Sequence, residues 1–281
     1  MGSTVEVPGY AFRLKASEFS DNESVRNWNS NNVTLSFSSG FDWINGGLKS
    51  EIYDAAGNTR SFIKVRAGDT MTIGYEPFAN NVTTERGKCI KVIFKVTQCR
   101  DYDAEVIKSC VYTSENVLQR GFIIGAQNTT FKSQNNTVDI PYCEDTYIEL
   151  EIDITPKGKF NYITSWVDGV PSSLTSFTAD DNFNFNGNIT IGSLDADVQI
   201  YGFKVYEKHL TDTEHLSNFI MDAPNASEMM ARFKRNDIVD DRGEIDPTLL
   251  AKNNPGCRTH CYEIPYMTTS KDVKVKDCNY I

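Results

Sequence analysis

The sequence has little that would support nucleic-acid binding or membrane insertion. Its 28 basic residues are outnumbered by 38 acidic ones, for a formal net charge of −10. We therefore expect no basic surface able to neutralise nucleic-acid phosphates. No apolar run approaches the roughly 20 residues that a membrane-spanning helix needs. The first residues lack a basic stretch followed by an apolar one, which predicts no secretory signal peptide.

Histidine is scarce, and the motifs of several enzyme classes are missing. The three histidines, His209, His215 and His260, stand outside Gly-x-Ser-x-Gly and His-Glu-x-x-His patterns. Neither a serine triad nor a zinc protease is predicted, and we interpret the histidines as solvent-facing. The sequence also has no glycine-rich phosphate loop and no dinucleotide-binding fingerprint.

The cysteines do not form a balanced disulfide set. Seven cysteines cannot all pair within one chain, which favours free thiols in a reducing compartment. Four residues near the end could instead supply ligands to a tetrahedral zinc ion, and they are Cys257, His260, Cys261 and Cys278. The gap between Cys257 and Cys261 differs from the usual Cys-x-x-Cys spacing, so free thiols are preferred and zinc stays an open alternative.

What the sequence does contain is a period-two alternation of apolar and polar residues from Tyr10 to Glu207. This alternation is typical of strands with one face in a core and the other in water, and no helical pattern interrupts it. Short strands separated by Gly, Asn, Asp and Pro predict a sandwich or barrel. The predicted strands are Tyr10–Leu14, Val33–Phe37, Phe62–Val65, Met71–Tyr75, Ile90–Val96, Glu105–Cys110, Gly121–Gly125, Thr146–Thr155, Phe160–Val167, Ile189–Ser193 and Val198–Tyr206.

The pattern changes after Leu210. Thr211 followed by acidic residues predicts the start of a helix, and an apolar stripe that includes Met229 and Phe233 predicts a second one. We place the sandwich in residues 1–222. Residues 223–281 are expected to form a helical linker and the start of a following domain.

Two stretches near the end of the predicted sandwich resemble the closing strands of concanavalin-A-like or laminin-G-like domains. Residues 189–193 read Ile-Thr-Ile-Gly-Ser, and residues 198–206 read Val-Gln-Ile-Tyr-Gly-Phe-Lys-Val-Tyr, before Leu-Thr-Asp-Thr-Glu at 210–214. Residues 166–170, Trp-Val-Asp-Gly-Val, resemble a hairpin of the same family. The resemblance implies an all-β fold, a two-sheet antiparallel jelly-roll sandwich with a short C-terminal helical extension.

The predicted final helix contains Asn-Phe-Ile-Met-Asp-Ala at 218–223. With this helix, the domain resembles those of tail and other virion proteins of bacteriophages, especially gut phages. This resemblance implies a non-catalytic module of a tail, fibre or baseplate protein, made in the bacterial cytoplasm and located in the virion. The implied partners are a host surface glycan or neighbouring virion proteins, with a homo-oligomer in the virion as a further option. A purely structural decoration domain without a ligand is the alternative.

An enzyme hypothesis begins at the acidic segment 149–155. Retaining glucanases of this fold carry a Glu-x-Asp-x-x-Glu strand whose carboxylates lie ~5–6 Å apart. Glu151 and Asp153 match its first two positions, but Pro156 stands at the third. Because the general acid is missing, we expect no enzyme, and we expect Glu149, Glu151 and Asp153 to face water. A glycoside hydrolase of the same fold is the alternative.

Sugar binding needs aromatic platforms and planar polar groups. Trp28 is the first candidate because polar residues surround it, and the full candidate set is Trp28, Trp43, Asp181 and Asn182. Loops beside the closing strands also hold carboxylates that a calcium ion could use, at Asp180, Asp181, Asp195 and Asp197. Capping of turns by these side chains is the alternative. No other cofactor is expected.

Overall fold

The computed structural model describes residues 7–30, 32–46, 60–79, 87–101, 103–112, 114–116, 118–126, 128–133, 136–141, 147–154, 161–167, 170–177 and 186–222. The strands are β1 (Phe12–Lys15), β2 (Thr34–Phe37), β3 (Asp42–Ile44), β4 (Phe62–Val65), β5 (Met71–Gly74), β6 (Lys88–Thr97), β7 (Glu105–Tyr112), β8 (Leu118–Gly125), β9 (Asn128–Ser133), β10 (Asn136–Pro141), β11 (Ile148–Ile154), β12 (Asn161–Val167), β13 (Val170–Phe177), β14 (Asn188–Ile191) and β15 (Asp197–Tyr206). The α-helices are α1 (Asn22–Arg26) and α2 (Asp212–Met221), and 3₁₀ turns lie at Ala16–Glu18 and Glu76–Ala79.

Two antiparallel sheets form the fold. The eight-stranded sheet has the order β13-β12-β11-β6-β15-β4-β3, and β1 pairs with the second half of β15. The seven-stranded sheet has the order β10-β9-β8-β7-β14-β5-β2. The predicted all-β, two-sheet sandwich is therefore confirmed, and each predicted strand coincides with an observed one to within a few residues.

The core lies between the sheets and follows the alternation along each strand. Side chains at every second position of β6 and β11 are buried in one hydrophobic cluster with residues from the facing sheet. Members of this cluster that are at most 1% exposed include Val92, Phe94, Leu150, Ile152, Ile73, Ile107, Phe122 and Ile189. Their burial is the main source of stability, because each fully buried large apolar side chain contributes ~1.5–3 kcal/mol.

A β-bulge in β15 changes which residues face the core. The register with β6 shifts between Ile200 and Gly202, so that Tyr201 is an extra residue. Val198 and Ile200 face the core before the bulge, and Phe203 and Val205 face it afterwards. Since a one-residue slip exchanges the two faces of a strand, the bulge is what places Lys204 on the outer face, the same face as Tyr201.

The expectation that no helix interrupts the strands before Glu207 is wrong. Helix α1 begins at Asn22 because Asp21 caps it, with the Ser24 amide donating to Asp21 Oδ1 at 2.7 Å. Its single buried residue, Val25, joins the core. Strands β3, β9 and β10 were also not predicted, whereas β13 follows β12 as the hairpin at residues 166–170 indicated.

Helix α2 starts where the sequence predicts. Thr211 is the N-cap, its amide donates to Glu214 Oε2 at 2.8 Å, and the Glu214 amide donates to Thr211 Oγ1 at 3.3 Å. Residues 223–281 lie outside the described residues, so the helical linker, the following domain and the boundary at 222 stay predictions. In the part of the chain that is described, no helix is long and apolar enough to cross a bilayer.

Candidate functional site

Part of the outer face of the eight-stranded sheet carries charged and polar side chains, on β6, β11 and β15. Residues directly opposite each other on neighbouring strands point to the same side. Cys89 of β6 lies between Asp153 of β11 and Tyr206 of β15, and Lys91 lies between Glu151 and Lys204 in the adjacent row. Three strands thus bring acids, lysines, a thiol and a phenol to one patch.

Helix α2 covers this patch with polar residues spaced three and four apart, which share one helix face. His215 Nδ1 contacts Glu151 Oε1, and His215 Nε2 lies 3.2 Å from Asp153 Oδ2. One turn later, Tyr206 Oη donates to Asn218 Oδ1 at 3.0 Å. The acids, lysines and histidine under α2 are called the ionic cluster below, and they are Lys91, Glu149, Glu151, Asp153, Lys204, His215 and Asp222.

The ionic cluster overturns two expectations. Glu149, Glu151 and Asp153 are 0%, 2% and 2% exposed rather than facing water. His215 is 1% exposed, so it is not a solvent-facing histidine. The alternation of β11 correctly assigned these acids to the outer face, but α2 covers that face. A signal for this was present, because His215, Asn218 and Asp222 recur at helical spacing and complement the charges of the strands.

The histidine and its acids hold each other in charged form. Burial alone would lower the pKa of His215, but the carboxylates of Glu151 and Asp153 outweigh it and raise the pKa to about 9. Burial alone would raise the pKa of Asp153, yet His215 and His209 together hold it below its usual value. His209 Nδ1 lies 2.6 Å from Asp153 Oδ2.

The other end of α2 is held by two lysines. Asp222 Oδ2 lies 2.8 Å from Lys91 Nζ, and Asp222 Oδ1 lies 2.6 Å from Lys204 Nζ. Lys91 Nζ is also 3.1 Å from Glu149 Oε2. Burial opposes the charge of Asp222, but Lys204 and Lys91 outweigh it and hold the pKa of Asp222 well below its ordinary value.

Three groups in the patch could bind a metal ion. The ligand atoms of Cys89, Asp153 and His215 all lie within 4.8 Å of one another, and all three residues are buried. Burial first, and then the negative charges of Glu151 and Asp153, raise the pKa of the Cys89 thiol well above its ordinary value. Without a bound cation this thiol is therefore protonated.

A small cavity of about 170 Å³ opens beside the ionic cluster. The Arg60 guanidinium lies 3.5 Å from the centre of the Tyr147 ring and donates to the Tyr147 hydroxyl. Tyr201, from the bulge, packs edge-on against Tyr147 with centroids 5.0 Å apart. Because Lys91 and Lys204 at the base are already paired with Asp222, the polar groups of this cavity are engaged within the protein.

The seven-stranded sheet carries a larger open groove of about 800 Å³ at the ends of β2, β5 and β14. We call it the asparagine groove, because four exposed asparagines line it, namely Asn29, Asn32, Asn186 and Asn188. The other lining residues are Ser30, Val33, Thr34, Gly74, Tyr75, Glu76, Pro77 and Gly187. Glu76 is the single charged residue among them.

Local structure keeps the asparagine groove open. Gly74 pairs with Thr34 on one side and Asn188 on the other. A Cβ on Gly74 would lie 2.4 Å from Thr34 Oγ1, so any side chain at position 74 would collide with the side chain of Thr34. Asn186 is fixed, since its Nδ2 donates to the Cys110 carbonyl at 3.0 Å and its Oδ1 accepts from the Asn188 amide at 3.1 Å.

The two predicted tryptophan platforms are both half-buried and pack against the main core. Trp43 also donates from Nε1 to the Ala16 carbonyl at 2.8 Å. Trp28 is therefore more core-like than its polar sequence neighbours indicated. The next two residues, Asn29 and Ser30, line the asparagine groove. A binding role for either tryptophan stays a prediction.

The predicted calcium ligands are only partly described. Asp197 uses both oxygens within the fold, with Oδ2 lying 2.7 Å from Lys64 Nζ and Oδ1 accepting from the Ala67 amide at 2.9 Å. The Asp195 backbone carbonyl accepts from the Arg100 amide at 2.7 Å. The remaining candidates, Asp180, Asp181 and Asn182, lie outside the described residues, as do Cys257, His260, Cys261 and Cys278.

A scan against protein-family models and a search of curated proteins gave no match. Among solved structures, the binding domain of botulinum neurotoxin serotype D/C is similar over 76% of this chain and 52% of that chain, with 12% identity and a TM-score of 0.51. A structure of botulinum neurotoxin type C, whose cell uptake is described as dependent on two ganglioside molecules, is similar over 75% and 51%, with 11% identity and a TM-score of 0.50.

A carbohydrate esterase from the Shiga toxin-encoding bacteriophage phi24B matches over 70% of this chain and 97% of that chain, with 16% identity and a TM-score of 0.43. This chain spans about half the length of the two neurotoxin chains. At such identities the likeness shows the fold alone, which is a β-sandwich.

Proposed function

We propose that this chain is a non-catalytic adhesion module of a bacteriophage tail, fibre or baseplate protein, and that it binds a host surface glycan in the asparagine groove. The observation that carries the proposal is the set of four exposed asparagines around an open groove of about 800 Å³. The phage assignment rests on the sequence resemblance at residues 189–223.

The chemistry of the groove matches an uncharged polyhydroxyl ligand. Each asparagine amide offers two donors and one acceptor in a plane, and Ser30 and Thr34 add hydroxyls. Sugar hydroxyls also donate and accept, so a saccharide can satisfy these groups without a bound charge. The near absence of charged lining residues favours neutral glycans over acidic ones.

The placement of the acidic strand supports a non-catalytic role. Glu151 and Asp153 lie under α2 and contact His215, at 2% exposure each. Glycoside hydrolysis by two carboxylates requires both to reach the glycosidic bond. A polysaccharide cannot reach these two while α2 is docked, which argues against the hydrolase alternative at this strand.

The similar solved structures agree with an adhesion role. The botulinum neurotoxin type C structure is described by its interaction with two ganglioside molecules, which are lipids that carry a glycan. A sandwich of this fold can therefore present a glycan site, and the asparagine groove is the place where this chain offers one.

The proposal is tested with an array of host polysaccharides, followed by calorimetry on the best binder. The double variant Asn29→Ala/Asn188→Ala removes two exposed amides, and Asn27→Ala is the matched control because Asn27 is exposed and is not among the groove-lining residues. Loss of about two hydrogen bonds, at ~1 kcal/mol each, weakens binding about 10–30-fold. The control should bind as the parent does.

Two results would contradict the proposal. If the parent chain binds no glycan on the array, the structural decoration alternative is favoured. If the double variant binds as tightly as the parent, the ligand uses another surface. Circular dichroism and thermal melting confirm that both variants are folded.

A further inference from the structure

We propose that Cys89, Asp153 and His215 form a zinc site that clamps helix α2 to the eight-stranded sheet. The three residues come from β6, β11 and α2, so a metal ion bound to them would join two strands to the helix. The set of thiolate, imidazole and carboxylate is one that zinc uses in proteins.

The geometry is close to that of a tetrahedral site. Asp153 Oδ2 and His215 Nε2 lie 3.2 Å apart. Two ligands bound to zinc at ~2.0–2.1 Å in a tetrahedron are about 3.3 Å apart. The Cys89 sulfur lies within 4.8 Å of a ligand atom of Asp153 and of one of His215, and Cys89 stands directly opposite Asp153 in the sheet. A small side-chain adjustment completes the triad.

The Glu151 carboxylate lies behind the His215 ring, where it can orient a zinc-binding imidazole. His215 Nδ1 contacts Glu151 Oε1, which leaves Nε2 directed at the metal position. A carboxylate behind a ligating imidazole fixes the ring orientation and increases its basicity. His209 Nδ1 lies 2.6 Å from Asp153 Oδ2, which is closer than two ligands of one zinc ion, so this ring would have to shift to serve as the fourth ligand.

Unsatisfied acceptors give a second, independent reason. Asp153 Oδ1 and Glu151 Oε2 are buried, and neither forms a hydrogen bond with any described residue. An unsatisfied buried acceptor costs ~1–3 kcal/mol, and more when it is charged. A bound cation within reach of these oxygens offsets that cost.

Zinc binding leaves the net charge of Cys89 and the ionic cluster unchanged, because one divalent cation takes the place of two protons. When zinc binds, it replaces the thiol proton of Cys89 and the Nε2 proton of His215, and both protons leave to solvent. Bonds from zinc to sulfur, nitrogen and oxygen form, and no group is oxidised or reduced.

The experiment must separate this site from the cysteines near the end of the chain. The starting protein is the full chain with Cys257→Ser, Cys261→Ser and Cys278→Ser. After exchange into zinc chloride and removal of excess metal, we expect one zinc per chain by mass spectrometry. X-ray absorption should show a single sulfur at ~2.3 Å among nitrogen and oxygen ligands.

Two further substitutions assign the sulfur. Adding Cys89→Ser should abolish stoichiometric zinc, whereas adding Cys99→Ser should leave it unchanged, because Cys99 is only partly buried and lies outside the triad. Zinc without a sulfur ligand, zinc retained by the Cys89→Ser chain, or a folded starting protein that holds no zinc would each overturn the proposal. The absorption spectrum of the starting protein decides the question even if the Cys89→Ser chain does not fold.

Discussion

The substitution Asp222→Asn tests how α2 is held. Asp222 is 7% exposed and pairs with both Lys91 and Lys204. The asparagine keeps the shape but removes the charge, so Lys204 and Lys91 both lose their ion pair with Asp222, while Lys91 keeps the one with Glu149. Breaking a buried ion pair costs ~3–5 kcal/mol. Since Lys91 retains Glu149, we expect the lower end of this range, about 3 kcal/mol.

Urea unfolding followed by circular dichroism measures this change. With an m-value of about 3 kcal/mol/M, the midpoint should fall by about 1 M. The matched control is Asp42→Asn, because Asp42 pairs with Arg66 at the surface, with side chains 35% and 60% exposed. Surface pairs contribute ~0–1 kcal/mol, so the control midpoint should barely move.

Hydrogen exchange locates the effect. Amides of α2 should lose protection in the Asp222→Asn chain before those of β7 (Glu105–Tyr112), which lies in the other sheet. If Asp222→Asn shifts the midpoint no more than Asp42→Asn does, the ion pairs do not hold α2, and the reasoning is refuted.

Three further outcomes are expected. The folded-state pKa of Asp222 is below the ordinary 3.8, so its ion pairs stabilise the fold above about pH 4 and are lost as pH falls below that. When the free energy of unfolding is measured against pH in this acid range, it should fall less steeply for Asp222→Asn than for the parent. An equal slope for the two chains would count against this. Cys89, buried at 0% exposure, should be alkylated at least about tenfold more slowly than the partly buried Cys99, as mass spectrometry of the native protein can show. Gly121→Ala, at φ +122° with its Cβ 2.1 Å from a carbonyl oxygen, should cost ~3 kcal/mol or more, whereas Gly68→Ala, at φ +92° in open space, should cost ~1 kcal/mol in urea unfolding.

The fold was predictable because the apolar alternation is strong where strands face the core. Strands such as β6 and β11 carry a large apolar residue at every second position, and burial makes that pattern obligatory. Strands β9 and β10 escaped prediction because polar residues such as Asn and Thr interrupt their apolar pattern. Cross-strand pairing to a neighbour, as between Asn128–Ser133 and Asn136–Pro141, determines such strands more than their own composition does.

The candidate sites were less predictable, for a different physical reason. Alternation separates two faces of a strand, but it does not reveal what covers the second face. The acids of β11 therefore looked solvated until α2 placed His215 against them. The asparagine groove was missed because its members come from distant segments, such as Asn29 and Asn188, and each residue alone reads as part of a turn.

The order of charges along α2 determines the register in which this helix docks on the eight-stranded sheet. The histidine near its start faces acids, and the aspartate just after its end faces lysines. Sliding the helix by one turn, ~5.4 Å, would move Asp222 toward Glu151 and Asp153 and bring like charges together without water. Only one seating of the helix avoids that repulsion. The charges of a few side chains therefore fix the register in which α2 docks on the sheet, as far as Asp222.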